Sequence, residues 1–246
     1  MHNGGLVKTI RFKQPRYVGD PINTVKIFNE KEVDEIIVLD ISATTRGAAP
    51  ALAQIREIAS ECFMPLCYGG GIHRPDQARD LFLAGVEKVA FNTAAHENPQ
   101  LITTLARSYG SQSVVVSIDV KKDLLGRYRA YIRGGKTSTG MDPVAYARRM
   151  EDLGAGELVV YAIDRDGTYE GYDTDLLARV CSEVSIPVIA CGGASGLDDL
   201  RRAVTEGHAS AVGAGSMFVF KSKERGVLIN YPSQQQLNQH LYTQVE

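Results

Sequence analysis

The sequence predicts an α/β protein, a (βα)8 TIM barrel built from two duplicated half-barrels, and three observations carry that prediction. Residues 35–94 recur with almost no gap at residues 157–216. Glu157 answers Glu35, Pro187 answers Pro65, Gly192-Gly193 answer Gly70-Gly71 and Gly207 answers Gly85, each 122 positions on (187 − 65 = 122). Each copy holds two or three strand-turn-helix modules, too many for a solenoid unit, so the repeat is half a domain. Second, short Val- and Ile-rich runs at Ile36–Leu39, Val114–Ile118, Leu158–Tyr161 and Val188–Ala190 alternate with amphipathic stretches of about 10–14 residues, as parallel βαβ units do. Third, 246 residues with 44% apolar side chains suit a barrel that typically takes about 250 residues. An open doubly wound sheet is the weaker reading, because it requires no such repeat. Residues 1–246 read as one domain.

Taken in order, Met1-His2-Asn3-Gly4-Gly5 is a turn sequence, and Leu6–Phe12 alternates polar and apolar residues like a loop ribbon. Seven strands follow, beginning near Glu35, Leu66, Lys88, Val114, Leu158, Val188 and Ser210. The first strand of an eight-strand array is missing. Either it lies upstream of Met1, or residues 6–12 substitute for it. Helix starts are marked at Asp20-Pro21, Arg74-Pro75 and Asp142-Pro143, where proline takes the first helical position. Gly85, Gly154 and Gly207 follow apolar-periodic segments where a left-handed C-cap is expected.

Composition narrows the function classes. A net charge of −2 gives no electrostatic case for nucleic acid, and no window approaches 18 continuous apolar residues, so a cytoplasmic protein without membrane span or secretory leader is expected. Cys62, Cys67, Cys181 and Cys191 form no CxxC and read as reduced packing thiols. The five histidines are dispersed, so no metal is expected, and nothing calls for another cofactor.

Barrel chemistry gathers at the C-terminal strand ends, and four of these carry small-residue turns: Gly69-Gly70-Gly71-Ile72, Asn92-Thr93-Ala94, Gly192-Gly193-Ala194 and Gly213-Ala214-Gly215-Ser216. Backbone N–H groups of such turns can cradle phosphate. The duplication pairs them as two sites, Gly71 with Asn92-Thr93 and Gly193 with Gly215-Ser216. Carboxylates lie between: Asp40 ends one strand, Asp119 another, and Asp164 and Asp166 a third, within Ile163-Asp164-Arg165-Asp166-Gly167-Thr168. Asp119 and Asp166 are the candidates for acid-base work, while Asp164 is as easily structural.

These motifs, with Tyr68-Gly69-Gly70-Gly71-Ile72, Phe91-Asn92-Thr93-Ala94-Ala95, Ser117-Ile118-Asp119 and Gly171-Tyr172-Asp173, resemble the cyclase subunit of imidazole glycerol phosphate synthase over essentially the whole chain. The resemblance implies a barrel that receives ammonia from a glutaminase at its N-terminal face and uses it on a twin-phosphate ribonucleotide at the opposite face. It implies substrate-binding roles for Lys8, Asp40, Gly70, Gly71, Asn92, Thr93, Gly167, Thr168, Gly192, Gly193, Gly215 and Ser216, and an ammonia gate of Glu35, Lys88 and Glu157. The family's other catalytic aspartate and its gate arginine belong to the first strand, before Met1. Other stretches, Asn3-Gly4-Gly5-Leu6-Val7-Lys8-Thr9, Asp20-Pro21-Ile22-Asn23 and Gly226–Pro232, are more similar to a paralogue in surface-polysaccharide synthesis. That branch works with a glutaminase and a third, amidotransferase protein to turn an acetamido group of a nucleotide sugar into an acetamidino group. A non-catalytic ammonia conduit that only activates its glutaminase is the remaining alternative.

Overall fold

The structure, a computed structural model, describes residues 1–221 and 226–244. In chain order the elements are β1 (Leu6–Ile10), β2 (Lys13–Gly19), α1 (Pro21–Glu30), β3 (Ile36–Leu39), α2 (Ala43–Arg46), α3 (Leu52–Ser60), β4 (Leu66–Gly69), α4 (Pro75–Leu83), β5 (Lys88–Phe91), α5 (Thr93–Glu97), α6 (Gln100–Tyr109), β6 (Val114–Lys122), β7 (Tyr128–Ile132), β8 (Thr137–Ser138), α7 (Pro143–Asp152), β9 (Glu157–Ala162), α8 (Thr174–Cys181), β10 (Val188–Cys191), α9 (Leu197–Thr205), β11 (Ala211–Gly213), α10 (Ser216–Val219) and α11 (Gln234–His240). Seven parallel strands form one curled sheet in the order β11-β10-β9-β6-β5-β4-β3, with β7 and β8 added antiparallel beyond the end of β6.

Period-two alternation gives the sheet two apolar faces. Cys67, Ala90, Val115, Val159 and Ile189 meet in the lumen, while Val114, Val116, Ile118, Leu158, Val160 and Val188 pack outward against the helices. The expected helix starts are present. Asp20 Oδ1 accepts from Asn23 N at 2.9 Å, and Asp142 Oδ1 accepts from Val144 N at 2.9 Å. At Arg74 the capping acceptor is Gln77 Oε1, which takes the N–H groups of His73 and Arg74.

Three expectations need correction. Residues 6–12 do not stand in for a barrel strand: Leu6–Ile10 pairs antiparallel with Lys13–Gly19 in a separate two-stranded ribbon, turned at Arg11 and Phe12, both at positive φ. Along the outer edge of β3 Met1 donates its amine to Leu39 O and accepts from Ile41 N. Gly207 is not the left-handed cap of α9, because that conformation falls on His208 at φ 57°. Glycine is needed at 207 because a Cβ there would press on Ala203 O and the Leu177 side chain. The repeat also slips by one residue near its end. Helix α4 maps onto α9 at the constant offset, Pro75 to Leu197 and Leu83 to Thr205, yet Asn92 shares its N-cap backbone angles with Gly215, one position later than that offset requires.

Candidate active site at the barrel mouth

At the bottom of the lumen, Glu35, Lys88 and Glu157 begin their segments of β-structure and converge. Lys88 Nζ lies 2.8 Å from Glu35 Oε2 and 3.0 Å from Glu157 Oε2. Burial pushes the Glu35 carboxyl up despite its hydrogen bond to Lys88. For Lys88 burial acts against charge, but the hydrogen bonds to Glu35 and Glu157 outweigh it and hold the ammonium above the usual lysine range. Glu35 Oε1 is buried without a hydrogen-bond partner among the described residues. The sequence-predicted gate residues thus form one ion-paired plug.

At the other end, Asp119 and Asp166 are both buried, at 7% and 2% exposure. Their surroundings differ. Among the described residues Asp119 accepts only Ser117 Oγ, at 3.0 Å, and desolvation, with a contribution from the Asp166 charge, pushes its carboxyl up to about 7. A carboxyl that titrates near neutrality can both give and take a proton at working pH. Asp166 instead accepts Thr9 Oγ1 at 2.6 Å and Phe12 N at 3.2 Å on Oδ2, and the Tyr161 hydroxyl at 3.0 Å on Oδ1. The Phe12 ring meets Tyr161 edge-on at 5.0 Å, and Arg11 donates its N–H to Asp166 O and its Nε to Asp164 O. Asp166 therefore latches the β1–β2 ribbon across the mouth. Asp164 is structural, its Oδ2 accepting the Lys122 N–H at 2.9 Å.

The remaining predicted positions divide by what their side chains already do. Asp40 Oδ1 accepts from Ser42 N, Ser42 Oγ and Ala43 N, which makes it a cap for α2. Asn92 Nδ2 donates to Ser117 O and Tyr131 O, and Thr93 Oγ1 accepts from Arg133 N, so both side chains hold β6 and β7 to the end of β5. Thr168 Oγ1 donates to Arg165 O within its own turn. Gly167 sits at φ 67°, directly beneath Thr9 O. Gly70, Gly71, Gly192 and Gly193 all have positive φ, and side chains there would run into the carbonyls of Asp40, Ala48, Ala162 and Gly171 respectively. These four glycines are required for the barrel to close over its loops, whatever else they bind.

The second cradle is different. Gly215 has φ −121°, open to any residue, and its missing Cβ leaves the space that the Lys8 ammonium occupies. Ser216 Oγ beside it is buried with no partner among the described residues. Lysine, an unsatisfied hydroxyl and the first N–H groups of α10 converge there, a donor set suited to an anion. Gly215→Val is expected to displace Lys8 and weaken binding of inorganic phosphate about 10- to 100-fold, the cost of losing a charge-assisted hydrogen bond. Isothermal titration of both proteins with phosphate measures it, and equal affinities would remove the cradle.

Sequence reasoning passed over Tyr161, Thr9 and Phe12. Tyr161 shares the parity of Glu157 and Val159 on β9 and so had to face the lumen, but its partner could not be read from spacing. A single cavity of about 1160 Å³ reaches Glu35 and Glu157 at one end and Asp119, Asp166, Gly193 and Ser216 at the other. Among the described residues no group of His, Cys, Asp and Glu could hold a metal ion, and no helix is long and apolar enough to cross a membrane.

Comparison with known proteins agrees with this geometry. A family model described as "Histidine biosynthesis protein" matches residues 1–224. The chain is 48% identical to the Pseudomonas aeruginosa protein named "Putative imidazole glycerol phosphate synthase subunit hisF2", over 95% of this chain and 93% of the relative. It is 47% identical to a Vibrio vulnificus protein named as the corresponding hisF3 subunit, over 95% and 90%. Identity to the Chlorobaculum parvum "Imidazole glycerol phosphate synthase subunit HisF" is 43%, over 90% and 88%. With its parallel barrel sheet, its duplicated glycine turns and these relatives, the chain belongs to the histidine biosynthesis protein family, among the HisF-type cyclase subunits of imidazole glycerol phosphate synthase.

Proposed function

We propose that this chain is the ammonia-receiving barrel of a glutamine amidotransferase system, and that it serves the acetamido-to-acetamidino modification of a nucleotide sugar rather than histidine synthesis. The observation that carries the first half is the continuous cavity between the Glu35–Lys88–Glu157 plug and the mouth. A glutaminase docked on the plug face would release ammonia into an apolar lumen lined by Cys67, Ala90, Val115, Val159 and Ile189. At the far end Asp119 would exchange the proton that ammonia must lose on attacking carbon, and Lys8 with Ser216 would hold a phosphate of the substrate.

The second half rests on the mouth, because identity alone does not sort the two branches: it is 48% and 47% to the relatives named hisF2 and hisF3, 47% to two Leptospira relatives named as putative HisF subunits, and 43% and 41% to the HisF relatives of Chlorobaculum parvum and Chlorobaculum tepidum. Among the described residues the mouth offers one buried carboxyl free of a latch, Asp119, and a cyclisation that needs two proton-transfer groups typically slows about 100- to 10,000-fold on losing one. The test is turnover of the histidine-pathway ribonucleotide with ammonium chloride. Little or no turnover is expected, and robust product formation, abolished in Asp119→Asn, would place the chain in the histidine pathway instead.

A further inference from the structure

Ser117 and Asp119 stand two apart on β6, so both side chains point into the barrel, and both are buried, at 8% and 7% exposure. Below Ser117 the lumen is lined by Cys67, Ala90, Val115, Val159 and Ile189, whose side chains offer no oxygen or nitrogen. Among the described residues the Ser117 hydroxyl has one partner, Asp119 Oδ1 at 3.0 Å. The serine backbone is fixed by other means. Its carbonyl accepts Asn92 Nδ2 at 3.1 Å, and β6 runs in register with β9, Ser117 beside Val159 and Asp119 beside Tyr161. A rigid strand therefore carries this hydroxyl to the carboxyl.

The rest of the mouth decides what a hydroxyl does there. Asp119 has this single donor, whereas Asp166 takes three, from Thr9, Phe12 and Tyr161. Burial and the neighbouring Asp166 charge oppose ionisation of Asp119, and Ser117 is the group that favours it. The other titratable groups that feel the Asp119 charge are Tyr161 on β9, Cys191 on β10 and Tyr146 on α7. All three are pushed up by burial and stay neutral near pH 7, so they add no charge to the balance. A hydroxyl suits a carboxyl that changes state, because it has one donor and two acceptor sites: it donates to the carboxylate and accepts from the acid. The first of these bonds is the stronger, since its acceptor is ionised.

We propose that Ser117 is a positioning residue of the mouth: it orients the Asp119 carboxyl and, by donating to its ionised form, sets the fraction of molecules in which Asp119 can take a proton from the attacking nitrogen. This rests on the reading of Asp119 as the proton acceptor given above. The experiment labels the aspartate side-chain carboxyls with carbon-13 and follows the resonance that Asp119→Asn removes. Ser117→Ala is expected to raise its titration midpoint by about one to two pH units, the weight of a hydrogen bond to a charged group. Ser117→Thr, which keeps the hydroxyl, returns the midpoint toward the wild-type value, and Ser117→Cys, a weaker donor, falls between. In ammonium-driven formation of acetamidino product by the reconstituted complex, the rate of Ser117→Ala relative to wild type is expected to fall about 5- to 50-fold near pH 7 and to recover by about pH 9.5, the titration of ammonia itself cancelling in the ratio. A serine that only fills space would leave the midpoint where it is, or lower the rate equally at every pH, and either result overturns the proposal. A wild-type complex that makes no acetamidino product at any pH refutes the ammonia-donor reading instead, and the carboxyl midpoint then decides the role of Ser117 by itself.

Discussion

Asp119→Asn is expected to unfold at higher urea concentration than the wild type at pH 8, and at nearly the same concentration at pH 4. The carboxyl titrates near 7 in the folded protein against a reference value of 3.8, so between those two pH values the folded chain keeps a proton that the unfolded chain has released. The stability this contributes is fully present below pH 3.8 and is lost as pH rises through 7. Asparagine has no such titration and can accept the same Ser117 hydroxyl. At about 1.4 kcal/mol per pH unit the advantage of the variant above pH 7 is roughly 2–4 kcal/mol, large against the stability of a typical domain. Urea midpoints at several pH values measure it, and two curves that stay parallel from pH 4 to pH 8 would show that Asp119 is not desolvated as described. The same variant should lose about 100- to 10,000-fold in any reaction that needs its proton. A gain in stability with a loss of activity is the signature of a functional carboxyl, since a structural one would lose both.

Lys88→Ala should separate two activities that the wild type couples. With lysine removed, the Glu35 and Glu157 carboxylates face each other across the bottom of the lumen without the cation that both now contact. The plug is half-buried, with side-chain exposures of 15 to 25%, so the stability cost is about 1–3 kcal/mol, below that of a fully buried pair. Product formed from glutamine should fall at least about tenfold, while product formed from added ammonium chloride is unchanged, because the mouth is untouched. Lys88→Met, which keeps the length of the side chain without its charge, should behave like the alanine variant. If both activities fall together, or neither does, the triad is only a structural ion pair.

Much of the barrel was legible in the sequence. The starts of its seven strands agree with the expected positions to within a residue, and four of them follow from Val- and Ile-rich runs, because an all-parallel sheet buried on both faces leaves little else for such runs to do. Glu35, Lys88 and Glu157 were grouped through the family resemblance, and their places at the starts of strands agree with the ion-paired cluster that they form. What the sequence did not reveal are contacts that cross it. Thr9 and Asp166 are 157 positions apart, and neither residue type signals that one latches the other. Glycine at 71 and 193 is no evidence of a phosphate site by itself, since backbone crowding alone demands it there, whereas at Gly215 a side chain would meet only the end of Lys8. The left-handed residue after α9 was assigned to Gly207 by type, but chain geometry put it on His208, where close packing against Leu177 had already claimed the glycine.

The convergence of three donors on Asp166 gives the mouth a clock. Thr9, Phe12 and Tyr161 share one carboxylate, and Arg11 is fastened to the same turn, so the ribbon cannot fray residue by residue. It is expected to open as a unit, at a free energy set by breaking these bonds together with the packing of Val18 on Val219 and Phe220. A substrate too large to pass beneath Phe12 must wait for that event, and its product must wait for it again. However fast proton transfer at Asp119 becomes, turnover of such a substrate is bounded by the frequency with which one carboxylate lets go of the ribbon.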